Sequence, residues 1–482
     1  MGEVKKNFIY NIVYQILILL IPLITVPYVS RVLGPSGVGT YSYTYSIVYY
    51  FMIFAMLGLN NYGNRSIAKV RDDKEKLSKT FKEIYYMQMI TSILMILLYF
   101  LYLIIDDSKY KMISVIQSIY IISCLFDINW FFFGIEKFKL TVTRNTIIKL
   151  LSLVLIFLFV KEKNDVWVYT LITSGSMLLS QLFLWPFLKK YVNNIPIKFK
   201  DVLKHFKPCL KLFLPVVAVT IYKVMDKTMI GWFSNTSEVG FYENAEKIIN
   251  VPNAIIAALG TVMLPRMSNL YAKNKQEESK KIIEKSIKVM MFLAFAMTFG
   301  LICISKNFSL LFFGKNFQKS GTIIILLSVT ILFLSWGNVI RTQYLIPKEY
   351  DKIYIKSAFL GAIINLIFNL IFIPKYKSVG ACVGTILAEL SVMLYQTLSI
   401  KNELPLESYI KDIVPFFLKS VLMFIIIYSF NFISLNPILK IFVQIGLACI
   451  IYYLLNYKYV NDTINLDKIL LKIRKKVKHA KN

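Results

Sequence analysis

Two groups of ionisable side chains lie inside long apolar stretches of this 482-residue chain, and their spacing limits what they can do. In Lys223-Val-Met-Asp226-Lys227, Lys223 shares a helical face with Asp226 (i, i+3) and with Lys227 (i, i+4), so the carboxylate can offset one ammonium while the other stays available to an anion. Glu243-Asn-Ala-Glu246-Lys247 places three more charges on one turn. A charged side chain in the middle of a bilayer costs about 2.5–3.5 kcal/mol on insertion scales, so groups of this kind mark a ligand path or an ion site. The chemistry open to them is anion binding by the lysines, or cation binding at Asp226, Glu243 or Glu246. Arg65 and Arg266 stand just beyond apolar stretches, where a snorkelling topology anchor is the alternative to a ligand contact.

The elements that must hold these groups are membrane helices. About fourteen stretches are apolar for long enough to cross a bilayer, among them 7–30, 40–60, 210–233 and 240–264, and the last two carry the charged groups. Hydrophobic residues make up 57% of the chain and mean hydropathy is +0.59, which leaves too little polar surface to enclose a soluble globule of this size. Most of the 56 Lys and Arg fall in alternate loops on the side that holds both termini. The positive-inside rule therefore predicts a multi-pass protein of a bacterial cytoplasmic membrane with both termini cytoplasmic. The first span is longer than a signal-peptide core and ends without a small-x-small site, so it is expected to remain in the protein. The net charge of +29 needs no nucleic-acid partner, because basic loops lie against anionic lipid head groups.

Enzyme chemistry finds little support. The two histidines, His205 and His479, fall in basic segments without a carboxylate pair or cysteine at ligand spacing, and the five cysteines stand singly in or beside spans. There is no Ser-His-Asp arrangement, phosphate-binding glycine loop or HExxH motif, and no large polar loop that could fold as a soluble domain. The expectation is a protein that is not an enzyme, binds no cofactor and holds no metal centre. A membrane-bound polymerase or transferase is the discounted rival.

The chain also matches itself. Shifted by 201 residues, Val38-Gly39-Thr40-Tyr41 falls on Val239-Gly240-Phe241-Tyr242, and without a gap Arg65 meets Arg266 and Glu83 meets Glu284. The offset equals six spans and preserves orientation, the pattern of parallel repeats that hold a substrate between two halves. The fold expected is an all-α polytopic membrane protein, with two parallel-related six-helix bundles around a central cavity plus two C-terminal helices. The boundaries are 1–200, 201–400 and 401–482. A cavity biased toward positive charge suits an anionic cargo, and apolar spans beside it suit a lipid tail.

The opening Asn7-Phe-Ile-Tyr-Asn-Ile, Pro22, Pro27-Tyr-Val-Ser-Arg31-Val-Leu-Gly34-Pro-Ser-Gly-Val-Gly39 and Asn61-Tyr-Gly-Asn-Arg65 resemble polysaccharide-repeat-unit flippases of the Wzx type. These belong to the multidrug/oligosaccharidyl-lipid/polysaccharide exporter superfamily. Met225-Asp-Lys-Thr-Met-Ile-Gly231, Val239–Ile248 and Leu259–Asn269 look like the matching second-half motifs. The resemblance implies alternating access that carries an undecaprenyl-pyrophosphate-linked oligosaccharide outward, with a polysaccharide polymerase and glycosyltransferases as candidate partners. By that similarity Arg31, Arg65, Lys223, Asp226, Lys227 and Arg266 would be cavity or gate positions, and Glu243, Glu246 and Lys247 complete the candidate substrate-binding set. Arg31 matches an Arg-x-x-Gly context that contacts substrate in the peptidoglycan-precursor flippases. Two rivals use the same physics: a cation-coupled multidrug exporter, and a flippase for a teichoic-acid or peptidoglycan precursor.

Overall fold

The computed structural model describes residues 2–433 and 435–464; the side chains of 2–20, 214–216, 218, 219, 221–223, 463 and 464 lie outside the description. In chain order the α-helices are α1 (Gly2–Met56), α2 (Leu59–Val70), α3 (Lys74–Ile105), α4 (Lys111–Leu125), α5 (Asn129–Gly134), α6 (Phe138–Phe159), α7 (Val166–Leu182), α8 (Trp185–Leu188), α9 (Phe199–Leu203), α10 (Phe206–Phe233), α11 (Thr236–Ala272), α12 (Gln276–Phe313), α13 (Gln318–Ser328), α14 (Thr330–Ile340), α15 (Asp351–Tyr376), α16 (Ser378–Leu398), α17 (Leu406–Ser429), α18 (Pro437–Leu455) and α19 (Tyr457–Ile464). No strand occurs among the described residues. Helices satisfy their own backbone hydrogen bonds, which lipid cannot do for them.

Twelve helical stretches among the described residues are long and apolar enough to cross a membrane. Fourteen were expected. The other two, 7–30 and 210–233, fall on α1 and α10, where part of the side chains lie outside the description.

The breaks have local causes. Within α1, Gly34 adopts φ 67 and ψ 179 and is followed by Pro35, which supplies no N–H; the chain turns there, separating the two spans expected at 7–30 and 40–60. At the end of α1, Leu57 and Gly58 both take positive φ, and α2 starts afresh. Asp73 opens α3 by accepting hydrogen bonds from the backbone N–H of Glu75 (3.1 Å) and Lys76 (3.0 Å).

Contacts divide the chain into two compact units. The first comprises Met1–Lys247, Phe312–Lys319 and Ala358–Ala388; the second comprises Ile248–Leu311, Ser320–Ser357 and Glu389–Asn482. In the first, Leu59, Ile67, Phe81, Ile84, Trp130 and Phe131 form a buried core, and the Trp130 indole N–H donates to Gln88 Oε1 at 2.8 Å. In the second, α17 and α18 pack on α12 through Met423, Ile427, Cys303 and Tyr452, and the Tyr452 hydroxyl donates to the Phe292 carbonyl at 2.9 Å. Elsewhere large apolar side chains face outward, such as Ile104 (73% exposed) on α3, Leu418 on α17 and Phe442 on α18. Exposure of that extent is a liability in water and is the natural surface toward lipid.

Candidate substrate site

Asp226 and Lys227 are neighbours on α10, so their side chains project about 100° apart. Each therefore meets a different environment. The Asp226 carboxylate is buried among neutral donors: the hydroxyls of Tyr242 (2.6 Å) and Thr385 (2.7 Å) reach Oδ2, and the amides of Asn365 (3.0 Å) and Asn369 (2.6 Å) reach Oδ1. These donors come from α11, α15 and α16. Asn365 also accepts from Asn369 at 3.0 Å, which fixes the two amides relative to each other.

Lys227 points instead at α11. Its ammonium lies 2.7 Å from Glu243 Oε2 and 2.8 Å from Glu246 Oε2, while Lys247 reaches the other oxygen of Glu243 at 3.1 Å. The four charges lie on two helices, and the two ammoniums balance the two carboxylates. Asp226 was expected to offset one of the ammoniums of Lys223 and Lys227; the angular step between adjacent residues sends the Lys227 ammonium to Glu243 and Glu246 instead. Lys223, the third member of that expected group, has its side chain outside the described residues. A desolvated ion pair is held only where hydrogen bonds are well made, and removing one partner is far costlier than never having the pair.

The structure brings Lys227, Glu243, Glu246 and Lys247 together and sets Asp226 next to Lys227 on α10. Arg31 and Arg65 are exposed on α1 and α2, with the Arg31 stem against Gly314, and Arg266 is exposed on the part of α11 that belongs to the second unit. None of these three is among the ion partners of the cluster.

Sequence reasoning missed several members. Tyr242 and Thr385 gave no signal, since hydroxyls are common in membrane helices. Asn365 and Asn369 were visible as an i, i+4 amide pair in an apolar span. A row of tyrosines on α1 also gathers here: Tyr41 stacks on Tyr45 at a ring separation of 5.9 Å, Tyr49 lies tilted against Tyr45 at 5.7 Å, and Tyr120 is edge-on to Tyr45 at 5.0 Å and Tyr169 to Tyr41 at 4.9 Å.

The repeated motif acquires a geometric meaning. A Cβ placed on Gly39 would fall 1.6 Å from the Thr236 carbonyl oxygen, and one placed on Gly240 would fall 2.1 Å from the Pro35 carbonyl oxygen. Each pair is the other shifted by the repeat offset. Only glycine lets the two backbones meet this closely. Ser36 and Thr236 hydroxyls 3.2 Å apart and Asn244 donating to Ser30 at 2.8 Å complete the contact.

No group of three or more His, Cys, Asp or Glu capable of holding a metal ion occurs among the described residues. The four groups around Asp226 all donate to its carboxylate, an arrangement that holds a buried negative charge.

A long helical chain with spanning hydropathy, a charged cluster inside its helices and a repeated helix contact defines a membrane transporter fold of the MurJ and MATE kind. It is similar to the solved structure "Lipid II flippase MurJ, inward closed conformation", with a TM-score of 0.76 at 19% identity over 94% of this chain and 100% of that one. It is also similar to a multidrug resistance MATE family transporter of the MOP superfamily in an inward-facing conformation, with a TM-score of 0.61 at 14% identity over 81% and 95%. The family model described as "Polysaccharide biosynthesis protein" matches residues 4–271, and the chain belongs to that family. Among curated relatives it is 22% identical over 406 residues to the "Putative O-antigen transporter" of Escherichia coli strain K12, spanning 83% of this chain and 97% of that one. To the "Capsular polysaccharide biosynthesis protein CapF" of Staphylococcus aureus it is 23% identical over 403 residues, spanning 81% and 97%.

Proposed function

We propose that the protein is a flippase that moves an undecaprenyl-pyrophosphate-linked oligosaccharide repeat unit from the cytoplasmic to the outer leaflet for capsule, exopolysaccharide or other surface polysaccharide assembly. The observation that carries this reading is the ion cluster: Lys227 and Lys247 are paired with Glu243 and Glu246 among apolar helices, in a chain matched over 83% and 81% of its length by a putative O-antigen transporter and a capsular polysaccharide biosynthesis protein. The drug-exporter reading is weaker, because the MATE likeness concerns fold alone while the curated relatives matched over most of their length are named for polysaccharides.

The mechanism follows from the charges. An incoming diphosphate competes with Glu243 and Glu246 for the two ammoniums, and binding energy comes from replacing internal ion pairs with a ligand of higher charge. The released carboxylates then become sites for a proton or cation, and Asp226 on α10 is another. Rocking of the halves 1–200 and 201–400, with 401–482 appended, opens the site outward while the polyprenyl tail stays in lipid. Both termini lie in the cytoplasm, and Arg31, Arg65, Lys223 and Arg266 serve as gate or path positions. A coupled cation, the membrane potential or removal of product by polymerisation supplies the drive.

The test is the leaflet distribution of polyprenyl-linked sugar in cells depleted of the protein, read by lipid mass spectrometry after an impermeant sugar-oxidising probe. Complete repeat units should accumulate on the inner leaflet. Unchanged lipid-linked sugars with altered sensitivity to cationic drugs would replace this reading with the exporter.

A further inference from the structure

The first unit contains a cavity of about 650 Å³ that lies apart from the ion cluster and is walled by the ends and middles of several of its helices. That volume is in the usual range for a small-molecule site. Its polar side is a built network. Arg144, 2% exposed, donates from Nη2 to Asn129 Oδ1 at 2.8 Å and to Asn145 Oδ1 at 2.6 Å, and from Nε to Asn145 Oδ1 at 3.1 Å. Asn129 Nδ2 in turn donates to Asp127 Oδ1 (2.6 Å) and Gln181 Oε1 (2.9 Å), and Ser180 donates to Asn145 Oδ1 at 3.2 Å. The amide oxygens of Asn129 and Asn145 fix the direction of the guanidinium. Lys149 adds a second cation to the lining against the one carboxylate of Asp127.

The lining also includes the aromatic and apolar side chains of Tyr120, Ile148 and Met177. Tyr120 shares a hydroxyl contact of 2.8 Å with Tyr41, and Tyr41 and Tyr169 line a second, small pocket together with Lys247. A chain of tyrosines therefore runs from the cavity to a member of the ion cluster.

We propose that this cavity is the saccharide subsite: it takes the sugars of the cargo, with preference for an acidic or phosphorylated saccharide, while the diphosphate engages Lys227 and Lys247. This rests on the flippase reading. Saccharides present hydroxyls that fixed amides and a guanidinium can bridge, and C–H faces that lie well on tyrosine rings; net positive lining favours an acidic group. An anionic phospholipid head offers the same phosphate and hydroxyl chemistry and is the competing occupant that the experiment must separate.

Full-length protein in detergent would be titrated, with native mass spectrometry as the readout, against a polyprenyl diphosphate bearing a short acidic oligosaccharide, the bare polyprenyl diphosphate, and phosphatidylglycerol. Wild type should prefer the glycosylated lipid. Arg144→Gln and the cavity-filling Ser176→Phe, which leaves the network in place, should each weaken glycosylated-lipid binding by about tenfold or more and leave the bare diphosphate unchanged. Unchanged glycosylated-lipid binding in Ser176→Phe, equal loss of both diphosphates, or displacement of the glycosylated lipid by phosphatidylglycerol at equal concentration would each overturn the subsite. Failure of wild type to bind either diphosphate would overturn the flippase reading itself.

Discussion

His205 Nε2 lies 2.9 Å from Glu83 Oε2, with both side chains almost wholly buried and 122 residues apart in the chain. The other ring nitrogen is 2.6 Å from the Tyr62 hydroxyl, so the imidazole joins the segment before α10 to α2 and α3. His205→Ala leaves a buried carboxylate short of a donor and should cost about 1–3 kcal/mol, whereas Tyr62→Phe removes a single hydrogen bond worth about 0.5–1.5 kcal/mol. Thermal unfolding of the two variants in the same detergent checks the order; equal midpoints would show that the triad holds nothing together.

Lys227→Ala leaves Glu246 without its ion partner and Glu243 with Lys247 alone, and should abolish export while the protein still inserts. Removing one partner of a buried pair costs about 3–5 kcal/mol, so part of the effect is destabilisation. The double variant Lys227→Gln, Glu246→Gln removes the stranded charge, keeps the Lys247–Glu243 pair, and should recover stability without recovering export. Surface polysaccharide and thermal midpoint, measured on the same strains, separate the two effects.

Glu403, in the turn after α16, accepts hydrogen bonds from Lys348 (2.8 Å), Tyr344 (2.5 Å) and Tyr350 (3.1 Å). Burial pushes its carboxyl up, but the hydrogen bonds from Lys348 and Tyr344 and the Lys348 charge outweigh that and hold it below the usual range. A depressed carboxylate contributes stability above its unfolded pKa and loses it as pH falls through the folded one. Stability should therefore decline from about pH 4.5 downward, and the decline should be shallower in Glu403→Gln. Thermal midpoints of both proteins across pH 3–7 give the answer.

The Ser36 and Thr236 hydroxyls are close enough for a cysteine pair to test movement at this end of α1 and α11. In a Cys449→Ser background, which removes the one exposed cysteine, S36C/T236C should stop export under oxidation and resume it after reductant. Export that continues with the bridge formed would mean that these helix ends need not part.

Much of the architecture was open to reading from residue pattern: spans follow from hydropathy, and the charged groups of α10 and α11 stood out as ionisable residues inside apolar stretches. The cage around Asp226 was hidden because its four donors arrive from three helices as far as 159 residues away, and a hydroxyl or amide in a membrane helix looks the same whether it meets a carboxylate or its own backbone. The Arg144 network was hidden for a related reason. Arg144 stands at the entry to a span, where a basic residue ordinarily signals topology.

Gly39 against the Thr236 carbonyl and Gly240 against the Pro35 carbonyl form a contact between equivalent positions, the arrangement found at the two-fold interface of a homodimer. Here both partners belong to one chain, and a side chain added in either copy obstructs the other. Two half-length chains cut between the copies would each display the same unpaired surface and could reassemble through it, as a dimer does.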